Sequence, residues 1–172
     1  MRLFSVLFLV FGFLGCGLVE SVLDELLEVE ASKSATFSIP AAITNLNEQH
    51  SVPLTIPLNF SEELTENQAK LDSLADVTLE SIDLQVKDPV GGNFDFVQKI
   101  TLRVDDQILA QLESVPMGQN MVTISAVSGA DILGLSRDDE LTVEVGFQFR
   151  EEATQDHQIE ATNNFKIKAT IL

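Results

Sequence analysis

From residue 35 onward apolar and polar residues alternate with a period of two, and this constrains the fold more than any other feature. Leu141, Val143, Val145, Phe147 and Phe149 alternate with Thr142, Glu144, Gly146, Gln148 and Arg150. Successive side chains of a strand point to opposite faces, so such a segment buries one face and wets the other. The same signature recurs at Phe37 and Ile39, at Ile100, Leu102 and Val104, and across 108–112 and 122–126. Ile159 and Ala161, then Phe165, Ile167, Ala169 and Ile171, continue it in one phase.

Two segments carry finer detail. Val52, Leu54, Ile56, Leu58 and Phe60 alternate, with Pro53 and Pro57 on the opposite phase. Proline cannot donate to a ladder, so this predicts an edge strand with both prolines facing outward. Over 77–86, Val77 and Leu79 share one phase and Ile82, Leu84 and Val86 the other. That one-residue shift predicts a β-bulge at Glu80-Ser81. Turn residues punctuate the strands at 88–92, at Asp105-Asp106 and around Pro116 and Gly118, and 151–157 reads as a polar hairpin connection. No βαβ rhythm and no internal repeat is present. The expectation is an all-β fold, an antiparallel β-sandwich of seven or eight strands with one or two short peripheral helices.

Two stretches depart from period two. Residues 18–31 read as an amphipathic helix, with Val19, Val22, Leu23, Leu26 and Leu27 on one face and Glu20, Asp24, Glu25 and Glu28 on the other. Ser61, followed by Glu62 and Glu63, reads as the N-cap of a second helix that Leu64, Leu71 and Leu74 would line.

The N-terminal region has a different character. After Met1-Arg2, residues 3–14 are apolar apart from Ser5 and Gly12, a length right for a signal peptide and short for a membrane span. The run ends in Phe13-Leu14-Gly15-Cys16, which resembles the lipobox of bacterial lipoproteins; Phe13 stands where that family prefers Leu. The resemblance implies cleavage between Gly15 and Cys16, diacylation of the Cys16 thiol by thioether linkage, and acylation of the new amine. Each buried methylene of an acyl chain contributes about 0.8 kcal/mol, so two or three chains hold a soluble domain at a membrane. Gly17, where the enterobacterial sorting rule retains Asp-bearing proteins in the inner membrane, implies the outer membrane. The expected organisation is a signal peptide at 1–15, a lipidated cysteine and tether at 16–34, and a sandwich at 35–172.

Composition excludes several functions. Asp and Glu number 27 against 10 Lys and Arg, a net charge of −17, which phosphates would repel, so no nucleic-acid partner is expected. With one cysteine, no intramolecular disulfide can form. Trp and Tyr, the usual platforms for stacking sugars or bases, are absent. No nucleophile elbow, no Ser-x-x-Lys pair and no phosphate-binding glycine loop occurs, and the expectation is that the protein is not an enzyme. His50 and His157 lie far apart in polar stretches and read as solvated surface residues. No resident cofactor is expected beyond the lipid on Cys16. A calcium site is the one alternative: Asp88, Asn93 and Asp95 in one turn, Asp105 and Asp106 in another, and Asp138 and Asp139 before residue 141 could supply oxygen ligands if their loops met at one pole.

The stretch 77–89, ending in Asp88-Pro89 and followed by Asn93-Phe94-Asp95-Phe96, resembles a group of uncharacterised bacterial lipoproteins with a lipobox, a strand ending in Asp-Pro, an FDF segment and a β-sandwich. It is also distantly similar to the water-stress and late-embryogenesis-abundant type 2 sandwich. The resemblance spans residues 77–172, implies a sandwich, and brings no catalytic residue with it. Together these readings predict a lipid-anchored module of the bacterial cell envelope. It would offer loops or the edge at 52–60 to a protein partner. Two alternatives stand beside it: a carrier of an apolar ligand between the sheets, using Phe94, Phe96, Phe147, Phe149 and Phe165, and a calcium-binding adhesion-type module.

Overall fold

The computed structural model describes residues 26–41, 46, 48–67, 74–127, 132–135 and 139–170. Eight strands form two four-stranded antiparallel sheets. They are β1 (Leu26–Ile39), β2 (Gln49–Pro57), β3 (Leu74–Asp88), β4 (Val97–Val104), β5 (Gln107–Leu112), β6 (Met121–Ser125), β7 (Glu140–Phe149) and β8 (His157–Thr170). One sheet has the order β1-β8-β3-β6 and the other β2-β7-β4-β5. Only β4 and β5 are consecutive neighbours within a sheet; every other connection crosses to the opposite sheet. This is the jelly-roll arrangement, a sandwich of two interleaved Greek keys.

The period-two pattern produces this fold because each strand contributes one face to a shared core. Val143, Val145, Phe147 and Phe149 of β7 face Ile159, Ala161, Phe165 and Ile167 of β8 across the interior, all of them buried. The inner faces interdigitate: Phe37 lies 5.8 Å from Phe147 between ring centroids, and Phe60 meets Phe165 edge-on at 5.5 Å. The bulge falls where the phase shift puts it, between Leu79 and Ser81 in the pairing of β3 with β8. β2 is an edge strand with Pro53 and Pro57 exposed, and its ladder ends at Pro57, although Leu58 and Phe60 stay buried beyond it.

Antiparallel pairing sends successive strand ends to opposite poles. We call the pole that holds Leu26 and its partner Thr170 the lower one; Ile39 and its partner His157 lie at the upper one. The lower pole carries the β2–β3, β4–β5 and β6–β7 connections. The upper pole carries β1–β2, β3–β4, β5–β6 and β7–β8.

Three expectations are corrected. Residues 26–31 are not helix: they open β1, and Val29, Ala31, Phe37 and Ile39 point into the core. Fourteen residue pairs with β8 override the helical spacing of the leucines. The sandwich therefore begins at Leu26, inside the segment expected as tether, while residues 18–25 lie outside the described ones. The second helix, α1 (Ser61–Glu66), is shorter than expected; Leu64 is its buried anchor, and Leu74 already belongs to β3. Its N-cap is Phe60 and no side chain caps it, because the Ser61 hydroxyl donates instead to Asn59 Oδ1. Finally, 151–157 is not a hairpin, since β7 and β8 lie in different sheets. A single turn, α2 (Ile132–Leu135), precedes β7, and no described helix is long and apolar enough to cross a membrane.

Candidate functional site

Cys16 and Gly15 lie outside the described residues, as does Asp138. The other candidate ligands divide between the poles: Asp88, Asn93 and Asp95 sit at the upper pole, and Asp105, Asp106 and Asp139 at the lower. The meeting of acidic loops that a calcium site would require does not occur among the described residues, and no group of three or more His, Cys, Asp or Glu among them converges as a metal site. Turn chemistry occupies several of these residues instead. Asn93 Oδ1 accepts the Asp95 amide at 3.1 Å. Asp105 and Asp139 adopt left-handed backbone at φ 50° and 59°, which Asp tolerates better than most residues.

At the upper pole the loops are bonded to one another. Gly91, at φ 78°, turns the chain after Asp88-Pro89, and the Gly92 amide closes the turn on the Pro89 carbonyl at 2.8 Å. From there Phe94 N–H donates to the Gln119 carbonyl, and the Asp95 carboxylate accepts the Gly118 amide, tying the β3–β4 loop to the β5–β6 loop. Arg150, just past β7, locks both. Its guanidinium donates to the carbonyls of Asp95 and Val115, each at 3.0 Å, and reaches Met117 Sδ. Three loops from two sheets thus hold one another in place.

Between the β3–β4 and β7–β8 loops lies a cleft of about 220 Å³ whose walls include Asn93, Asp95, Phe96, Glu151, Glu152 and His157. His157 is not the solvated residue its polar neighbours suggest: it is 6% exposed, and its ring stacks on Phe96 at 4.2 Å. Burial pushes its imidazole below the usual histidine range, against the opposing pull of the Gln155 carbonyl, Asp156 and Asp88. Its Nδ1 has no hydrogen-bond partner. The signal was present in the sequence, because His157 shares the inward phase of Ile159 and Ala161. His50, half-buried on β2, lies against Phe149 at 5.5 Å.

Two further polar features escaped the sequence reading. Lys33, on the inward phase of β1, forms a 2.7 Å ion pair with Glu63 of α1 and lies over the Phe60 ring. Burial raises the Glu63 carboxyl, but the Lys33 hydrogen bond, the local backbone amide and the ammonium charge outweigh it and leave the group below its ordinary value. Asn163 of β8, fully buried, donates to the Lys33 carbonyl at 3.0 Å. The phenylalanines weighed for an apolar ligand pack instead as core: Phe94, Phe96, Phe147, Phe149 and Phe165 are all buried, and Phe96 and Phe147 both stack on Phe149.

No family model matches the chain, and no curated protein does. Among solved structures the fold is similar to that of the 60-mer BFDV capsid protein, at a TM-score of 0.41 and 9% identity, over 86% of this chain and 95% of that one.

Proposed function

We propose that the protein is a bacterial lipoprotein, held in the cell envelope by acyl chains on Cys16, that presents a non-catalytic β-sandwich to a protein partner. The observation that carries the reading is the run Phe13-Leu14-Gly15-Cys16 at the end of an apolar segment, with the chain's single cysteine at the one position where such an anchor uses it. The fold is compatible with that use. Cys16 stands ten positions before Leu26, a tether of at most about 35 Å. It would enter at the lower pole, so the upper pole would face away from the membrane. That pole offers preorganised loops, an acidic cleft and two exposed apolar side chains, Val90 and Met117. Rigid loops that expose apolar groups within a charged rim suit protein recognition. Gly17 favours the outer membrane.

The test is the intact mass of the protein purified from its host's membranes, with metabolic labelling by an isotopic fatty acid. Cleavage before Cys16 with added acyl mass is expected, and Cys16→Ser should lose the label and leave the membrane fraction. An unlipidated chain would sink the proposal.

A further inference from the structure

We infer that the outer edge of β1, which ends its sheet, is a self-association site, where a second copy adds its own β1 antiparallel and joins two four-stranded sheets into one of eight strands. The sandwich has four strand edges, those of β1, β6, β2 and β5. β2 lacks backbone donors at Pro53 and Pro57. β5 and β6 are short and close on each other through the Ala110–Ala126 bridge and the Val127 amide on the Leu109 carbonyl. β1 is different: fourteen residues with no proline, paired with β8 without a register shift. An edge of that length, with no strand paired to it among the described residues, is a template for another strand unless something guards it. A charged side chain turned inward is one such guard, and Lys33 is inward. Its ammonium, however, is already engaged, held by Glu63 and lying over Phe60.

The side chains say what fits. On the outer face β1 shows Glu28, Glu30, Ser32, Ser34, Thr36 and Ser38, all exposed. A two-fold pairing centred on Ser32 sets Ser32 against its own copy, Glu30 against Ser34 and Glu28 against Thr36. On the inner face it sets Lys33 against Ala31 and Val29 against Ala35. No like charges face each other anywhere along the seam, which matters in a chain carrying −17. The hydroxyls would also extend a network already present on that face, where Ser32 donates to Asn164, Ser34 meets Thr162, and Asn164 donates to Ser81 and Asp83. The net charge opposes approach at long range, so added salt strengthens the pair.

The pairing puts the two Leu26 ends about 40 Å apart along the seam, each with its own ten-residue segment to Cys16 of at most about 35 Å. The pairing does not depend on the reading that Cys16 bears the anchor.

The experiment uses the full chain with Cys16→Ser, so that one introduced thiol reports alone. Ser32→Cys should give a disulfide-linked dimer on mild oxidation, because residues facing each other across an antiparallel pair lie within disulfide distance. Ser125→Cys, also exposed, on β6, should crosslink at least ten times more slowly. Sedimentation should show a dimer whose population rises between about 20 mM and 500 mM salt, as the Debye length falls from about 21 Å to about 4 Å. The single variants S32E and S32K, which place like charges face to face at the centre of the seam, should each be monomeric and should form a heterodimer when mixed. Equal crosslinking at 32 and 125, or charge variants that sediment like the parent chain, would overturn the inference whether or not the protein proves to be lipidated.

Discussion

Replacing Lys33 by Met tests the ion pair that fastens α1 to β1. The nitrogen and carboxylate oxygen are 2.7 Å apart, and the two side chains keep 18% and 23% of their exposure. At an effective dielectric of about 20 the gross attraction is about 6 kcal/mol, most of it offset by desolvation and by fixing two long side chains. Removing one partner is a different matter, because Glu63 Oε2 already lacks a hydrogen-bond partner and the whole carboxylate would then be stranded. For fully buried pairs that loss is about 3–5 kcal/mol; the residual exposure here scales it to about 2 kcal/mol. Met keeps the apolar stem over Phe60, so packing changes little. In urea the midpoint should fall by about 1 M with the slope unchanged. Adding Glu63→Leu should restore most of the loss, since an apolar pair replaces a broken ionic one. The effect should also depend on pH. The folded carboxyl titrates below its ordinary 4.5, so its contribution is present above about 4.5 and is lost as pH falls through the lower folded value. Parent and variant should therefore converge in acid. A Lys33→Met midpoint within 0.2 M of the parent at pH 7, or a double variant no better than the single, would refute the reasoning.

Further perturbations follow from the same structure. Phe165→Ala opens a void on the central strand β8 and should cost about 3–5 kcal/mol by denaturant titration; a loss below 1.5 kcal/mol would mean the site collapses freely. His157→Phe should keep the stack on Phe96 and flatten the acid side of the stability profile. The folded imidazole sits below 6.5, so its stabilising contribution is full above that value and declines as pH drops through it; an unaltered slope in melting temperature between pH 7 and 5 would contradict this. Gly92→Ala puts a methyl 2.8 Å from the Pro89 carbonyl and 2.9 Å from Val86 Cγ1 and should lower the melting temperature clearly. Gly146→Ala meets only the flexible Gln49 side chain and should be nearly neutral, and a reversed order would show the crowding argument to be wrong.

Much of the architecture was legible because it depends on parity alone. The β7 and β8 phases, the bulge at residues 80–81 and the proline-bearing edge all follow from which side chains share a face. Residues 26–31 were not legible, because their leucines satisfy helical and strand spacing alike and the choice is made by β8, more than a hundred residues away. Sheet membership was hidden for the same reason: nothing in 151–157 distinguishes a hairpin from a crossing between sheets. The acidic loops teach a different lesson. Loops that follow successive antiparallel strands must fall at alternate poles, so Asp88–Asp95 and Asp105-Asp106 could never have met in a sandwich of this kind. Parity would also have turned His157 inward, had its polar neighbours not been given more weight.

The antiparallel ladder of β1 and β8 gives the molecule a mechanical grain. A pull between the upper pole and the chain entering at Leu26 runs along β1 and shears the ladder, so that fourteen residue pairs resist together. A pull that separates Leu26 from Thr170, which sit side by side, would open the same ladder one rung at a time. Tension applied through Leu26 thus meets the stiff direction of the domain, and force-spectroscopy traces taken along the two axes should differ sharply in rupture force.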